Sequence, residues 1–178
     1  MSLATLVTRP AACLPPERFG ELDPALVQLA QQQPLAGRVL RRMLELPPVT
    51  APAAELPPLD WRQGLANLGL AAWAPSIRRV VAREQIRQLI GELGAADYRR
   101  ALSLPPLAQV ETRSLPTPLP QAVRRSGRRL LAGALAQQGA GWPAFACQLL
   151  RVAPAQLQPG AGLAELLPLL THTTEPNP

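Results

Sequence analysis

The chain has 178 residues and a formal net charge of +6, with 33 Leu and 29 Ala against only 12 Val and Ile together. Leu and Ala favour helices, and the β-branched and aromatic residues that fill sheets are scarce, which argues against an all-β fold. Pro (22) and Gly (12) make up about a fifth of the chain, which predicts helices cut into short pieces.

Met1–Pro10 has no basic stretch and too short an apolar run for a secretory signal, and residues 1–22 read as irregular. Asp23-Pro24 is a helix start, with Asp as N-cap and Pro at the first helical position. The helix is expected to reach about Gln33, where Pro34 stops it. A second helix, about 35–46, places Val39, Leu40, Met43 and Leu44 near one face. Pro47, Pro48, Pro52, Pro57 and Pro58 then make a stiff, extended linker. Asp60 caps the next helix, with Gln63 three residues on, and Trp61, Leu65, Leu68 and Ala72 recur at helical spacing. Pro75-Ser76 is expected to restart the chain, with Ile77, Val80 and Val81 continuing an apolar face. Ile86, Leu89, Ile90 and Leu93 follow at i, i+3, i+4 and i+7, the clearest amphipathic signature in the chain. Gly94 ends that helix, and 95–102 adds a short one.

Residues 103–119 form a second Pro-rich loop. Pro120 opens a helix over 120–137, Gly139–Pro143 turns the chain, and helices follow at about 143–152 and 162–170. The stretch 130–150 carries no charge, but Gln137-Gln138 and the turn make it helix, turn, helix rather than a membrane span. The expected fold is all-α, an irregular bundle of about seven to nine short helices interrupted by Pro-rich loops. Residues 1–55 are expected to form an N-terminal helical hairpin with the Pro-rich linker, 56–170 a helical core, and 171–178 a disordered tail.

All 18 basic residues are Arg, and they are unevenly spread. Residues 1–60 carry five Arg and six acids, residues 61–129 twelve Arg and four acids, and residues 130–178 one Arg and two acids. A central basic field of this kind draws acidic partners. Arg79, Arg83 and Arg87 fall at i, i+4 and i+8, so one continuous helix through them would make a single basic stripe. Arg124/Arg128 and Arg125/Arg129 make two more rows. Arg78, Arg79, Arg83 and Arg87 are therefore candidates for one docking surface, and Arg124, Arg125, Arg128 and Arg129 for a second. Three readings stand side by side: a solvated face partly paired with Glu84 and Glu92, docking to an acidic protein surface, and nucleic-acid binding. Three Trp, two Phe and one Tyr are few for stacking nucleic-acid bases. Trp61, Trp73 and Trp142 read as core, or as a partner hot spot where one is exposed.

No catalytic constellation assembles from these residues. No Gly-rich phosphate loop is present, because Gly127, Gly133 and Gly139 have neither a preceding strand nor a Lys. His172, the single histidine, lies in the polar tail, and a general base needs a fixed position. Cys13 and Cys147 read as two reduced thiols, too few for a disulfide framework or a zinc site. No enzyme activity, cofactor or metal is expected.

From about Leu56 to Val152 the chain resembles the SctK family of type III secretion systems (YscK, PscK and, more distantly, OrgA and MxiK). Leu68-Gly69-Leu70 is followed by Ile77-Arg78-Arg79-Val80-Val81, then Ile86 and Leu89-Ile90, the segment Tyr98 to Leu102 and a Pro-rich stretch. Ser126-Gly127 then precedes an apolar helix, with Trp142 and a Leu-rich helix behind it. The resemblance implies a largely helical, non-enzymatic protein of the cytoplasmic sorting platform. It implies a link between the cytoplasmic domain of the inner-membrane ring protein (SctD) and the pod protein (SctQ), with the stator (SctL) and the ATPase (SctN) further along. It also implies a cytoplasmic location, at the inner membrane only through partners, and no nucleic-acid partner. A basic helical nucleic-acid-binding protein is the alternative.

Overall fold

The computed structural model describes residues 61–105, 107, 114–157 and 160–171, without the side chains of Trp61 and Arg62, together with the isolated positions 23, 25 and 28. The expected second helix, the linker over 47–58, Cys13 and His172 lie outside the described residues, as does the tail after Thr171. The Asp23 cap is borne out: its Oδ1 accepts a hydrogen bond from Ala25 N at 2.8 Å, and positions 25 and 28 are helical.

Between residues 61 and 171 the described residues form six α-helices and one 3-10 turn joined by turns and loops, and no described residue is in a strand. They are α1 (Trp61–Arg78), α2 (Arg83–Leu93), α3 (Ala95–Ser103), α4 (Leu119–Ala136), α5 (Trp142–Leu150) and α6 (Leu163–Thr171), with the 3-10 turn Pro154–Gln156 between the last two. None is long and apolar enough to cross a membrane. The described residues are all-α, as expected, and hold six of the expected seven to nine helices.

α1 is the hub. It packs most extensively on α4 and also on α3 and α6, while α5 packs on α4. Neighbours on three sides explain its weak periodicity: Leu68, Leu70, Ala71, Ala74 and Ile77 are all buried, and together they cover more than one face. The same burial corrects the expected break at Pro75. Pro75 lies inside one continuous helix. A proline in a helix interior costs about 3 kcal/mol, and packing of α1 against three helices offsets it. The helix closes three residues later through tight i→i−3 bonds, Arg79 N to Ser76 O and Val80 N to Ile77 O. Val81 is consequently 86% exposed in the turn and does not continue the apolar face.

α1 and α4 meet through glycines. A Cβ on Gly69 would lie 2.2 Å from the Val123 carbonyl oxygen, and one on Gly127 only 2.1 Å from that of Leu65. Only backbones without side chains approach this closely. α4 presents Leu119, Val123, Gly127, Leu131 and Leu135 to the core at successive i+4 positions. Trp142 and Phe145 of α5 fill the space behind it, edge to face, with ring centroids 5.4 Å apart. Gly91 of α2 is the opposite case: it is exposed, and a Cβ there would meet nothing within 4 Å. Gly91→Ala is expected to stabilise the protein by about 0.5–1 kcal/mol, read as a higher urea midpoint with an unchanged slope.

No side chain of its own flank caps α2, α3, α4 or α5. Side chains of other helices instead serve the ends of α6, α4 and α3. The buried Asn67 of α1 donates from Nδ2 to the Leu169 carbonyl near the end of α6 at 3.0 Å, and its Oδ1 accepts from Gln63 Nε2 at 2.9 Å. Glu92 of α2 accepts from Leu119 N at the start of α4 at 3.2 Å, where a carboxylate also meets the positive end of the helix dipole. Arg78 of α1 serves the C-terminal end of α3.

Candidate functional site

The arginines divide by what they touch. Arg78 Nη2 donates to the carbonyls of Ala101 at 3.3 Å and Leu102 at 3.1 Å, and also to that of Leu104. These carbonyls stand at the end of α3, where no backbone donor follows. Arg87 pairs with Glu84 at 2.7 Å, both well exposed, and such a surface pair contributes little to stability. Glu92, the other expected partner, is used by Leu119 N and by Gln88 Nε2. Arg79 and Arg83 make no ion pair with a described residue.

The first expected stripe is therefore divided. Arg79 sits in the turn after α1, Arg83 opens α2, and Arg87 lies one turn further along it. One helix does not run through all three, because α1 has already closed at Arg78. Arg79 lines an open cleft of about 460 Å³ together with Ser76, Gln88, Leu89, Glu92 and Leu119. Glu92 puts a carboxylate into that cleft, so positive charge is not concentrated there.

The second expected surface comes together and gains a member. Arg124, Arg125, Arg128 and Arg129 of α4 line one groove of about 350 Å³ with Arg151 from the end of α5. Gln121, Val152 and Gln156 complete the lining. Five arginines line the groove, with no carboxylate and no aromatic ring among the lining residues. The sequence explains the first absence. Between Glu111 and Glu165 the chain carries six Arg and no acid, so no local counter-charge is at hand. None of the five makes an ion pair with a described residue. Arg129 Nε is buried without a hydrogen-bond partner, and an unpaired buried donor costs about 1–3 kcal/mol.

Arg151 was not singled out by its spacing. It takes the left-handed conformation, φ 52° and ψ 51°, which costs a residue with a Cβ about 1–2 kcal/mol. Arg151 N donates to Gln148 O and Val152 N to Cys147 O, the two bonds of a Schellman helix end, where glycine is the usual residue. Its signal in the sequence was there: it is the only charged residue between Arg129 and Glu165, and it stands where a helix stop calls for Gly.

The other candidates resolve into structure. Trp142 is fully buried, and Trp73 is half-buried with its indole N–H bonded to Ser126 Oγ at 3.0 Å; the Trp61 side chain is outside the described residues. Cys147 is buried, and burial pushes its thiol above the usual range. No group of three or more His, Cys, Asp or Glu stands together among the described residues.

Models of known protein families, curated proteins and solved structures give no match to this chain.

Proposed function

We propose that this chain is a non-enzymatic helical adaptor of a type III secretion sorting platform. It links the cytoplasmic domain of the ring protein SctD to the pod protein SctQ by protein–protein contact, with SctL and SctN reached through them. It acts in the cytoplasm, at the inner membrane only through those partners. The observation that carries the reading is the groove of five arginines without internal counter-charge, since arginine forks match carboxylates bidentately. The motif order shared with SctK supports it. Two of those motifs, Leu68-Gly69-Leu70 and Ser126-Gly127, meet at the α1–α4 crossing, which gives their spacing a common physical reason. Arg79 and Arg83, flanking the exposed Val81, offer a second, smaller contact. The groove holds no aromatic side chain on which bases would stack, which weighs against the nucleic-acid reading.

The test is affinity purification of the tagged protein from its own cytosol at physiological salt, with nuclease treatment and mass spectrometry. Retention of ring and pod proteins after nuclease treatment is the expected result. Loss of all bound material to nuclease, with no secretion component retained, overturns the reading. Reversing Arg79 and Arg83 together to Glu is expected to slow association with the ring protein about tenfold at low salt and to flatten its salt dependence, without lowering the melting temperature.

A further inference from the structure

We propose that the groove between α4 and the end of α5 docks an acidic helical segment of a partner protein, with carboxylates at i and i+4 pairing with its arginine rows. The inference rests on the adaptor reading only in taking the occupant to be a protein. Arg124 and Arg128 stand one turn apart on α4, as do Arg125 and Arg129. Each pair is therefore separated by about 6 Å along the axis. Glutamates at i and i+4 on a second helix carry the same spacing, so two helices laid along one another bring carboxylate and guanidinium into register. Arg151 closes the groove from the other side, at the end of α5.

Two observations say that the groove is built rather than incidental. Arg129 Nε is buried without an acceptor, so the fold holds this arginine on the groove wall at a cost of its own. Arg151 occupies a left-handed position that glycine would take without strain, and its side chain lines the groove. Strain held at one residue beside an unpaired charge is the pattern of a binding position. The chemistry also sets the occupant's size. The four arginines of α4 span about 7.5 Å of axis, five residue steps, room for few phosphates of a duplex but sufficient for one turn of an acidic helix. With no aromatic ring among the lining residues, a single strand has nothing to stack on.

Fluorescence anisotropy of the full chain tests this with a labelled helical peptide bearing Glu at i and i+4. A peptide of the same composition with its glutamates out of helical register, an RNA oligonucleotide and tripolyphosphate serve as competitors. The registered peptide is expected to bind at physiological salt, and the scrambled one about tenfold more weakly. Arg151→Gly is expected to keep or raise the melting temperature while weakening peptide binding about tenfold or more. Arg99→Ala, on α3, leaves binding unchanged. Equal binding of the two peptides, tighter binding of RNA, displacement by tripolyphosphate at equal charge, or an Arg151→Gly variant that binds as well as the parent each overturns the proposal. The two readings fail separately. Peptide binding as expected with no secretion component in the purification leaves the groove and removes the platform assignment. Retention of ring and pod proteins by the parent chain, with no binding of the registered peptide to that chain, does the reverse.

Discussion

Gly127→Ala is expected to destabilise the protein by at least about 3 kcal/mol, although Ala is the better helix former by about 1 kcal/mol. The new methyl group would lie 2.1 Å from the Leu65 carbonyl oxygen and 3.1 Å from Gly69 N. Both obstacles are backbone of α1, so no side-chain rotation makes room and the two helices must part. Parting them loosens Leu68 and Leu131, fully buried near the crossing, and the rest of the core follows because α1 also carries α3 and α6. Thermal unfolding followed by circular dichroism should show a fall in melting temperature of about 10 °C or more. Gly69→Ala should behave alike, since its methyl group would meet Val123 O at 2.2 Å. A Gly127→Ala protein that melts with the parent would mean that α1 and α4 do not cross here.

The second expectation concerns Arg78, which its sequence neighbourhood placed among docking residues. Arg78→Ala is expected to cost about 2 kcal/mol of stability, because charge-assisted bonds to the carbonyls of Ala101, Leu102 and Leu104 are lost together. Part of the contact is open to water, which keeps the figure below that of a buried network. Arg78→Lys should recover only part of it, since an ammonium lacks the planar fork. Urea titration reads the loss. A docking residue behaves in the opposite way, weakening partner binding at unchanged midpoint, as expected of Arg79 and Arg83. The two outcomes separate a structural arginine from an interacting one within a single Arg-Arg pair.

Much of the fold was legible from local signals. Gly94 after an amphipathic run marked the end of α2, and its φ of 85° with ψ of 150° is a conformation open to glycine and strained for residues with a Cβ. Pro120 placed the start of α4 to within a residue of Leu119, and the turn over 137–141 fell where glycines clustered. Pro75 misled because a proline speaks only of its own backbone, whereas the helix through it is held by three neighbours. The caps were equally out of reach. Arg78 and the carbonyl of Ala101 are 23 residues apart, and Asn67 and Leu169 are 102 apart. No window of neighbouring residues contains such a bond. For the groove, the two arginine rows of α4 followed from spacing alone. Arg151 did not, because its contribution depends on where α5 ends in space relative to α4.

The bond between Asn67 and Leu169 has a further consequence for chain connectivity. Gly64 lies against Leu170 as well, with a would-be Cβ 3.0 Å from Leu170 Cδ2, so the first turn of α1 and the last turn of α6 are neighbours. The path of the described helices closes on itself. Thr171 could be joined to Trp61 by a short bridge and the ring reopened at the exposed turn between α4 and α5, yielding a circular permutant of residues 61–171 with the contacts among α1 to α6 kept. What defines this core is which helices touch, not the order in which the backbone visits them.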